Sequence, residues 1–274
     1  MKKPITYAVF DLETIQDLEI LDTTFPTEKF APHIAHEVVA LSMATFTREP
    51  FPNDNIVEIK SLGSAKGSEA EMLNTFVEYI TKRKPCLVGF NSRGFDLEVL
   101  KYRCFKHGIA FPIWFKTGTK WESYRSRYSP EWQFDIMDFL TSFGASPKFS
   151  LDLASRAIGL PGKFGISGKD VGRYYAEGRH QEIRDYCETD VITTSALMLR
   201  VLHLTGDLDA DGFTKSTKAF LDYLNEKAEE KPHLRDYLQR MDIDRYTSIF
   251  SKLEDVVNSN NVREFPRGTS ACSL

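Results

Sequence analysis

Two acidic residues near the start of the chain are spaced to share one face of a β-strand. Asp11 and Glu13 lie in the segment ITYAVFDLE, whose β-branched and aromatic residues predict a strand. Side chains two apart on a strand project from the same face, so the two carboxylates would lie side by side, with Phe10 and Leu12 on the opposite face. Neighbouring carboxylates repel each other, and a hard divalent cation is the usual means of holding them together. The pair alone is equally consistent with a strand end that carries two solvated acids.

A third acid, Asp96, stands where a predicted strand gives way to a helix. The apolar segment CLVGF is followed directly by NSRGFD, so the Asp96 carboxylate can reach the edge of the sheet where α/β proteins usually place their sites. An acid in the first turn of a helix is also favoured by the helix dipole alone. Taken singly, Asp96 leaves both interpretations open.

Tyr186 and Asp190 are four residues apart in the segment RDYCETD, which lies on a long predicted helix. This spacing puts a phenol and a carboxylate on one helical face, one turn apart. A tyrosine in the core and an aspartate at the surface would give the same spacing.

Strands and helices are interleaved along the chain in a way that predicts an α/β fold. Segments rich in β-branched and aromatic residues predict strands, and apolar residues at helical spacing predict helices. Their order predicts a mixed sheet flanked by helices. The predicted strands span about 5–13, 37–47, 55–60, 86–90 and 133–138, and the predicted helices about 68–83, 95–107, 151–158 and 179–203.

The character of the chain changes after residue 204. TGDLDADGF is a Gly/Asp-rich linker, the stretch 212–257 is charged and helical, and the last residues are polar. We therefore predict one α/β domain over 1–204 and a small helical C-terminal appendage with a polar tail over 205–274.

Composition limits the classes of function. No apolar run approaches the roughly 18 residues of a membrane span, and the start MKKPITYAVF lacks the features of a signal peptide, so we expect a cytoplasmic protein. Four separated cysteines without a CxxC pair predict reduced thiols. A formal charge of −4 argues against a protein that coats long nucleic acid by bulk electrostatics. It is compatible with an enzyme that binds a few nucleotides around divalent metals, which supply local positive charge.

The three motifs together resemble those of the DEDD superfamily of 3′–5′ exonucleases in its tyrosine-bearing DEDDy branch. The resemblance rests on DxE in FDLET, on Asn91, Phe95 and Asp96 in NSRGFD, and on YxxxD in YCETD. It is closest to the proofreading exonuclease domain of family-B DNA polymerases and to the stand-alone predicted exonucleases related to that domain. It covers about residues 5–203, including the segment FSLDLASRAIGLPGKFGISGKDV, and implies a ribonuclease H-like fold. The histidine-bearing sister branch would carry histidine at position 185, where this chain has Asp185.

The resemblance also implies roles for individual residues. The four carboxylates of Asp11, Glu13, Asp96 and Asp190 would hold two divalent ions, Mg²⁺ or Mn²⁺, and Tyr186 would orient the attacking water. The implied substrate is a nucleic acid with a free 3′ end, single-stranded and with DNA favoured over RNA, and the implied products are nucleoside 5′-monophosphates. By the same analogy, the terminal nucleotide would contact Leu12, Thr14, Phe90 and Asn91. Leu12 and Phe90 fit a purely structural role in their strands equally well.

Two further segments could contact a nucleic-acid strand. The loop 116–133 interleaves four aromatic with four basic residues, which suits base stacking and phosphate binding but also fits an ordinary solvated loop. Lys163 and Lys169, in the Gly-rich segment 159–172, could reach phosphates or could be surface charges.

Two rival functions remain. One is a catalytically silent nucleic-acid-binding or protein-interaction module on the same fold, although such a module would be expected to have lost at least one of the five motif residues. The other is a metal-dependent phosphatase, which the DxE strand alone would allow but which leaves the other two motifs without a purpose.

Overall fold

The computed structural model describes residues 6–21, 25–26, 29–47, 56–64 and 67–249. In this part of the chain a five-stranded sheet has the order β3-β2-β1-β4-β5. The strands are β1 (Thr6–Gln16), β2 (His36–Thr47), β3 (Ile56–Ser61), β4 (Cys86–Gly89) and β5 (Gln133–Asp135). β1 and β3 pair with β2 in antiparallel orientation, whereas β4 is parallel to both β1 and β5. The predicted α/β fold with a mixed, helix-flanked sheet is therefore confirmed.

Helices cover both faces of this sheet. Before the long helix they are α1 (Glu69–Arg83), α2 (Asp96–Lys106), α3 (Pro112–Lys116), α4 (Ile136–Leu140), α5 (Leu151–Ala157) and α6 (Val171–Ala176). The long helix is α7 (His180–Thr205), and it is followed by α8 (Ala210–Lys227), α9 (Pro232–Arg240) and α10 (Ile243–Thr247). No helix in the described ranges is both long and apolar enough to cross a bilayer.

The central strand β1 sends alternate side chains into two separate cores. Ala8, Phe10 and Leu12 pack with α1 and α2 on one face. Tyr7 and Val9 pack on the other face with α7 and the helices that follow it. Because the period of a strand is two, Asp11 and Glu13 continue the second series and face α7.

β4 and β5 are short, and this leaves room beside the end of β1. The pairing of β1 with β4 ends at Val9 and Val88, so Asp11 and Glu13 lie beyond the last β4 partner. β5 ends at Asp135 and passes directly into α4. The predicted strand over 133–138 was therefore wrong in its second half, because the Asp135 side chain caps α4 by accepting the Asp138 N–H at 3.1 Å.

The C-terminal helices are packed against α7 and β3. The hydroxyl of Tyr246 donates to the Ala196 carbonyl in α7 at 3.0 Å, and the Ile59 N–H in β3 donates to the Tyr223 hydroxyl at 2.9 Å. Phe213, Phe220 and Tyr246 are buried in the core on the α7 side of the sheet. The division at residue 204 stays a prediction, and the end of the helical stretch predicted for 212–257 lies outside the described residues.

A substitution in α8 should destabilise the whole domain. Phe220 is 1% exposed, and its ring centroid lies 6.2 Å from that of Phe46 in β2. Phe220→Ala should therefore lower the free energy of unfolding by about 3–5 kcal/mol. Leu204→Ala is the matched control, because Leu204 is 69% exposed, and should change it by less than about 0.5 kcal/mol. Denaturant unfolding checks both, and a Phe220→Ala protein with wild-type stability would contradict the shared core.

Candidate active site

Three of the predicted acids meet in one cluster. Carboxylate oxygens of Asp11, Glu13 and Asp190 all lie within 4.8 Å of one another. β1 supplies the first two from its α7 face, and α7 supplies the third. Oxygen ligands at this separation can share a divalent cation.

Asp96 lies beside this cluster as the first residue of α2. It is 5% exposed, the Leu12 backbone N–H donates to its carboxylate, and its charge contributes to raising the pKa of Asp11. Asp96 is thus attached to β1 between the two β1 acids, although it is not one of the three residues whose oxygens lie within 4.8 Å of one another.

The pKa values of these four carboxyls reflect burial and mutual repulsion. Burial, reinforced by the neighbouring carboxylates, raises the pKa of Asp11 and of Glu13 well above the ordinary range. Burial together with Asp135 and Asp190 raises the pKa of Asp96 to about 7, and burial raises that of Asp190 to about 6. Without a compensating cation the cluster therefore retains protons near neutral pH.

Tyr186 connects the cluster to a lysine. Its side chain is 7% exposed, and its hydroxyl donates to Asp190 and accepts a hydrogen bond from Lys163 Nζ at 3.0 Å. Burial, followed by the charge of Asp190, raises the pKa of the phenol above its ordinary value, so the hydroxyl keeps its proton. The Lys163 charge lowers the pKa of Asp11, Glu13 and Asp190, partly opposing the repulsion among them.

A buried acid that the sequence did not single out holds the second motif in place. The Asp135 carboxylate accepts the backbone N–H groups of Asn91 at 3.0 Å and Arg93 at 2.9 Å. Asn91 has a φ of 59°, a left-handed conformation that needs such support. Asp135 thereby fixes the turn between β4 and α2 that carries Asp96. Its position at the end of a strand next to β4 was the available signal, but the strand was expected to continue past it.

The cluster opens into a cleft of about 520 Å³. Leu12, Phe90 and Asn91 line this cleft as predicted for substrate contacts, whereas Thr14 does not line it and its Oγ1 is hydrogen-bonded to His36 Nδ1 at 2.9 Å. Lys169 is exposed and outside the lining. Further lining residues come from the second motif and from the segment 149–171, and they are Phe95, Phe149, Ser150, Leu151 and Gly168. No motif or spacing pointed to the other lining residues, which are Phe30, His33, Met137 and Lys148.

A larger cavity of about 750 Å³ lies elsewhere, at the start of α1 and the end of α2. Several of its charged residues are held in ion pairs: the Arg103 guanidinium binds Glu69, which also lines the cavity, and Asp17, which does not, at 2.6 Å each, and Lys106 binds Asp17. Among the described residues the metal-compatible cluster is in the smaller cleft, which we therefore take as the site.

The pH dependence of stability should report the cost of burying an ionised acid in the metal-free cluster. Asp190 titrates near 6 when folded and near its ordinary value of 3.8 when unfolded, so the folded state binds more protons between these values. Its stabilising contribution is complete below about pH 4 and is lost as the pH rises through about 6. Relative to Asp190→Asn, the wild type should therefore lose free energy of unfolding across pH 4–7 in EDTA. Parallel pH profiles for the two proteins would contradict this.

Comparisons with known proteins agree with this architecture. A solved structure of the family B DNA polymerase from the hyperthermophilic archaeon Pyrobaculum calidifontis matches 73% of this chain, with a TM-score of 0.50 and 18% identity, and the match spans 24% of the polymerase. No curated protein sequence matches. A family model matches residues 28–241. The matched range includes Asp96, Tyr186 and Asp190 but begins after Glu13. It also extends beyond residue 203, where the resemblance based on the motifs was expected to end. The chain therefore belongs to the family described as predicted 3′–5′ exonucleases related to the exonuclease domain of PolB.

Proposed function

We propose that this protein hydrolyses phosphodiester bonds from the 3′ end of single-stranded nucleic acid, with DNA favoured over RNA, and releases nucleoside 5′-monophosphates. Two divalent ions, Mg²⁺ or Mn²⁺, would be held by Asp11, Glu13, Asp96 and Asp190. The observation that carries the proposal is the convergence of three carboxylates within 4.8 Å at the base of an open cleft. We keep the cytoplasmic location as part of this proposal.

The donor set suits a hard cation. Every candidate ligand is a carboxylate, and their raised pKa values indicate that a positive charge between them would relieve repulsion. Cys187 is close, with its Sγ 3.8 Å from Asp11 Oδ2, but burial raises the pKa of this thiol well above its ordinary value. Hard carboxylate oxygens suit Mg²⁺ or Mn²⁺, so the donor set favours these ions over zinc.

When bound, the ions would lower the pKa of the attacking water and neutralise charge on the scissile phosphate. The protein's own groups would position the reactants. The Tyr186 hydroxyl, kept protonated, can hold a water by hydrogen bonding but cannot act as a base near neutral pH. Lys163, which already contacts that hydroxyl at 3.0 Å, would place a positive charge beside the phosphate.

The cleft walls fit a terminal nucleotide. Phe90 offers apolar surface, Asn91 offers a polar group, and the volume of about 520 Å³ accommodates one nucleotide. Leu12 borders the cleft, but its side chain is 4% exposed and packs in the core with α1 and α2, so its substrate contact stays a prediction. Thr14 stays a predicted contact. Its hydrogen bond to His36 would have to break before the Thr14 hydroxyl could contact a nucleotide. Asp185, at the position of the sister branch's histidine, accepts a hydrogen bond from Gln181 Nε2 at 2.8 Å and does not line the cleft, which supports the tyrosine branch.

Cleavage assays separate this proposal from its rivals. The purified protein, given a 5′-labelled single strand of DNA or RNA and Mn²⁺, should produce a ladder that shortens from the 3′ end and disappears in EDTA. Asp190→Asn should abolish the ladder, whereas the matched control Asp185→Asn, on the same helix but outside the cleft, should retain it. Binding without cleavage would indicate the silent module, phosphate release from a monoester the phosphatase, and full activity in EDTA would refute the metal mechanism.

Tyr186→Phe separates positioning from metal binding. Loss of the hydroxyl removes a hydrogen bond to the water but no carboxylate, so turnover should fall about ten- to a thousand-fold while metal affinity is nearly unchanged. Single-turnover rates and calorimetric metal titration measure the two effects. Tyr246→Phe is the control, because this buried tyrosine contacts α7 away from the cleft, and it should lower stability by about 1 kcal/mol without slowing turnover. An unchanged rate in Tyr186→Phe would leave Tyr186 a core residue.

A further inference from the structure

Three consecutive residues after α4 have left-handed backbone conformations. The φ angles of Ser142, Phe143 and Gly144 are 50°, 57° and 95°. Such angles are uncommon for serine and more so for a bulky residue, and they persist only where the surroundings hold them. Arg127 provides this support. Its guanidinium donates to the Phe143 carbonyl at 3.0 Å and is held by two hydrogen bonds to Asp138, at 2.9 and 2.7 Å.

This conformation presents an aromatic ring at the surface. Phe143 is 37% exposed, and its ring centroid lies 4.9 Å from that of Tyr128, which is 71% exposed. The Arg127 Cζ atom lies 6.0 Å from the centroid of the Tyr128 ring. Of the other aromatic residues in the loop 116–133, Tyr124 and Trp132 are buried in the core, whereas Trp121 is 74% exposed and has Lys120 Nζ 4.9 Å from its ring centroid. Tyr128 and Phe143 form an exposed ring pair in this region.

The ring pair is linked to the cleft through short stretches of chain. Met137, which directly precedes the Arg127-bound Asp138, lines the cleft, and so does Lys148. Lys148 is five positions after Phe143, a span of at most roughly 18 Å. A strand whose 3′ end occupies the cleft could therefore reach the two rings within a few nucleotides.

The charge around the rings suits a polyanion. The segment 116–150 contains four acids, and two of them, Asp135 and Asp138, are buried. Asp135 accepts a hydrogen bond from the Asn91 backbone N–H, and Asp138 accepts one from Arg127. The same segment contains five basic residues, Lys116, Lys120, Arg125, Arg127 and Lys148.

We propose that Tyr128 and Phe143 form a stacking platform for the bases that lie upstream of the 3′-terminal nucleotide of a single strand. Aromatic rings stack any base, and Lys148 at the cleft mouth is placed to contact the intervening backbone phosphates. Arg127 acts as a positioning residue that keeps Phe143 at the surface. The proposal rests on the proposed function, since it requires the 3′ end to lie in the cleft.

The test compares substrates that can and cannot reach the platform. For Tyr128→Ala, kcat/KM on a single-stranded twelve-nucleotide DNA should fall on the order of tenfold, whereas kcat/KM on a dinucleotide should stay the same. Tyr128→Phe retains a ring and should restore the wild-type value on the long substrate. Phe143→Gly, which suits a positive φ, should lose activity on the long substrate without losing stability. Phe105→Ala is the control: Phe105 is 77% exposed near the far end of α2, and its loss should alter neither substrate.

Binding tests the platform independently of cleavage. In an Asp190→Asn background, which prevents cleavage, fluorescence anisotropy should show that Tyr128→Ala binds the labelled twelve-mer on the order of tenfold more weakly. Equal losses on both substrate lengths, or equal binding with and without the Tyr128 ring, would overturn the platform while leaving the proposed exonuclease activity intact. If the wild type cleaves no substrate, the proposed function fails, and the anisotropy result alone then supports or overturns the platform.

Discussion

Repulsion among buried carboxylates is the constraint that organises this protein. Asp11, Glu13, Asp96 and Asp190 meet at the cleft, where Glu13 and Asp96 are buried and Asp11 and Asp190 are partly exposed, and each of their pKa values is raised. The hydrogen bonds that Asp96 accepts from the Leu12 N–H and Asp190 accepts from Tyr186 oppose this rise only in part. The clustered carboxylates therefore destabilise the metal-free fold locally. A divalent cation would relieve their repulsion, and this relief would contribute to the free energy of metal binding.

Three rigid elements of the fold hold the acids together despite their repulsion. β1 is anchored on both faces by separate cores, so its alternation directs two carboxylates towards α7 without freedom to turn away. α7 is 26 residues long and contributes Tyr186 and Asp190 one turn apart. The turn that carries Asp96 depends on Asp135, which holds Asn91 in a left-handed conformation. A buried acid outside the motifs therefore supports one inside them.

The sequence predicted those parts of the site that depend on local periodicity. The two-residue spacing of Asp11 and Glu13 and the four-residue spacing of Tyr186 and Asp190 each specify a face once the element type is known, and the element types were correct. The role of Asp135 was missed because it depends on where β5 stops, and a side-chain cap ended that strand earlier than its β-branched composition suggested. Phe30 and Phe143 reach their positions through a loop and an unusual backbone conformation, which no periodic pattern encodes. The surface that the C-terminal helices cover is likewise not encoded in a periodic pattern, since helix amphipathicity does not reveal which surface a helix will cover.

Equilibrium metal binding coupled to proton release tests whether the carboxylate cluster is a divalent-metal site. Calorimetric titration of the apo protein with Mn²⁺ at pH 7, in two buffers of different ionisation enthalpy, gives both the stoichiometry and the number of protons released. We expect two ions per chain and net release of protons, because carboxyls with raised pKa values must ionise to bind metal, and we expect Asp190→Asn to lose this binding. Absence of Mn²⁺ binding, or equal binding by Asp190→Asn without proton release, would contradict the metal site.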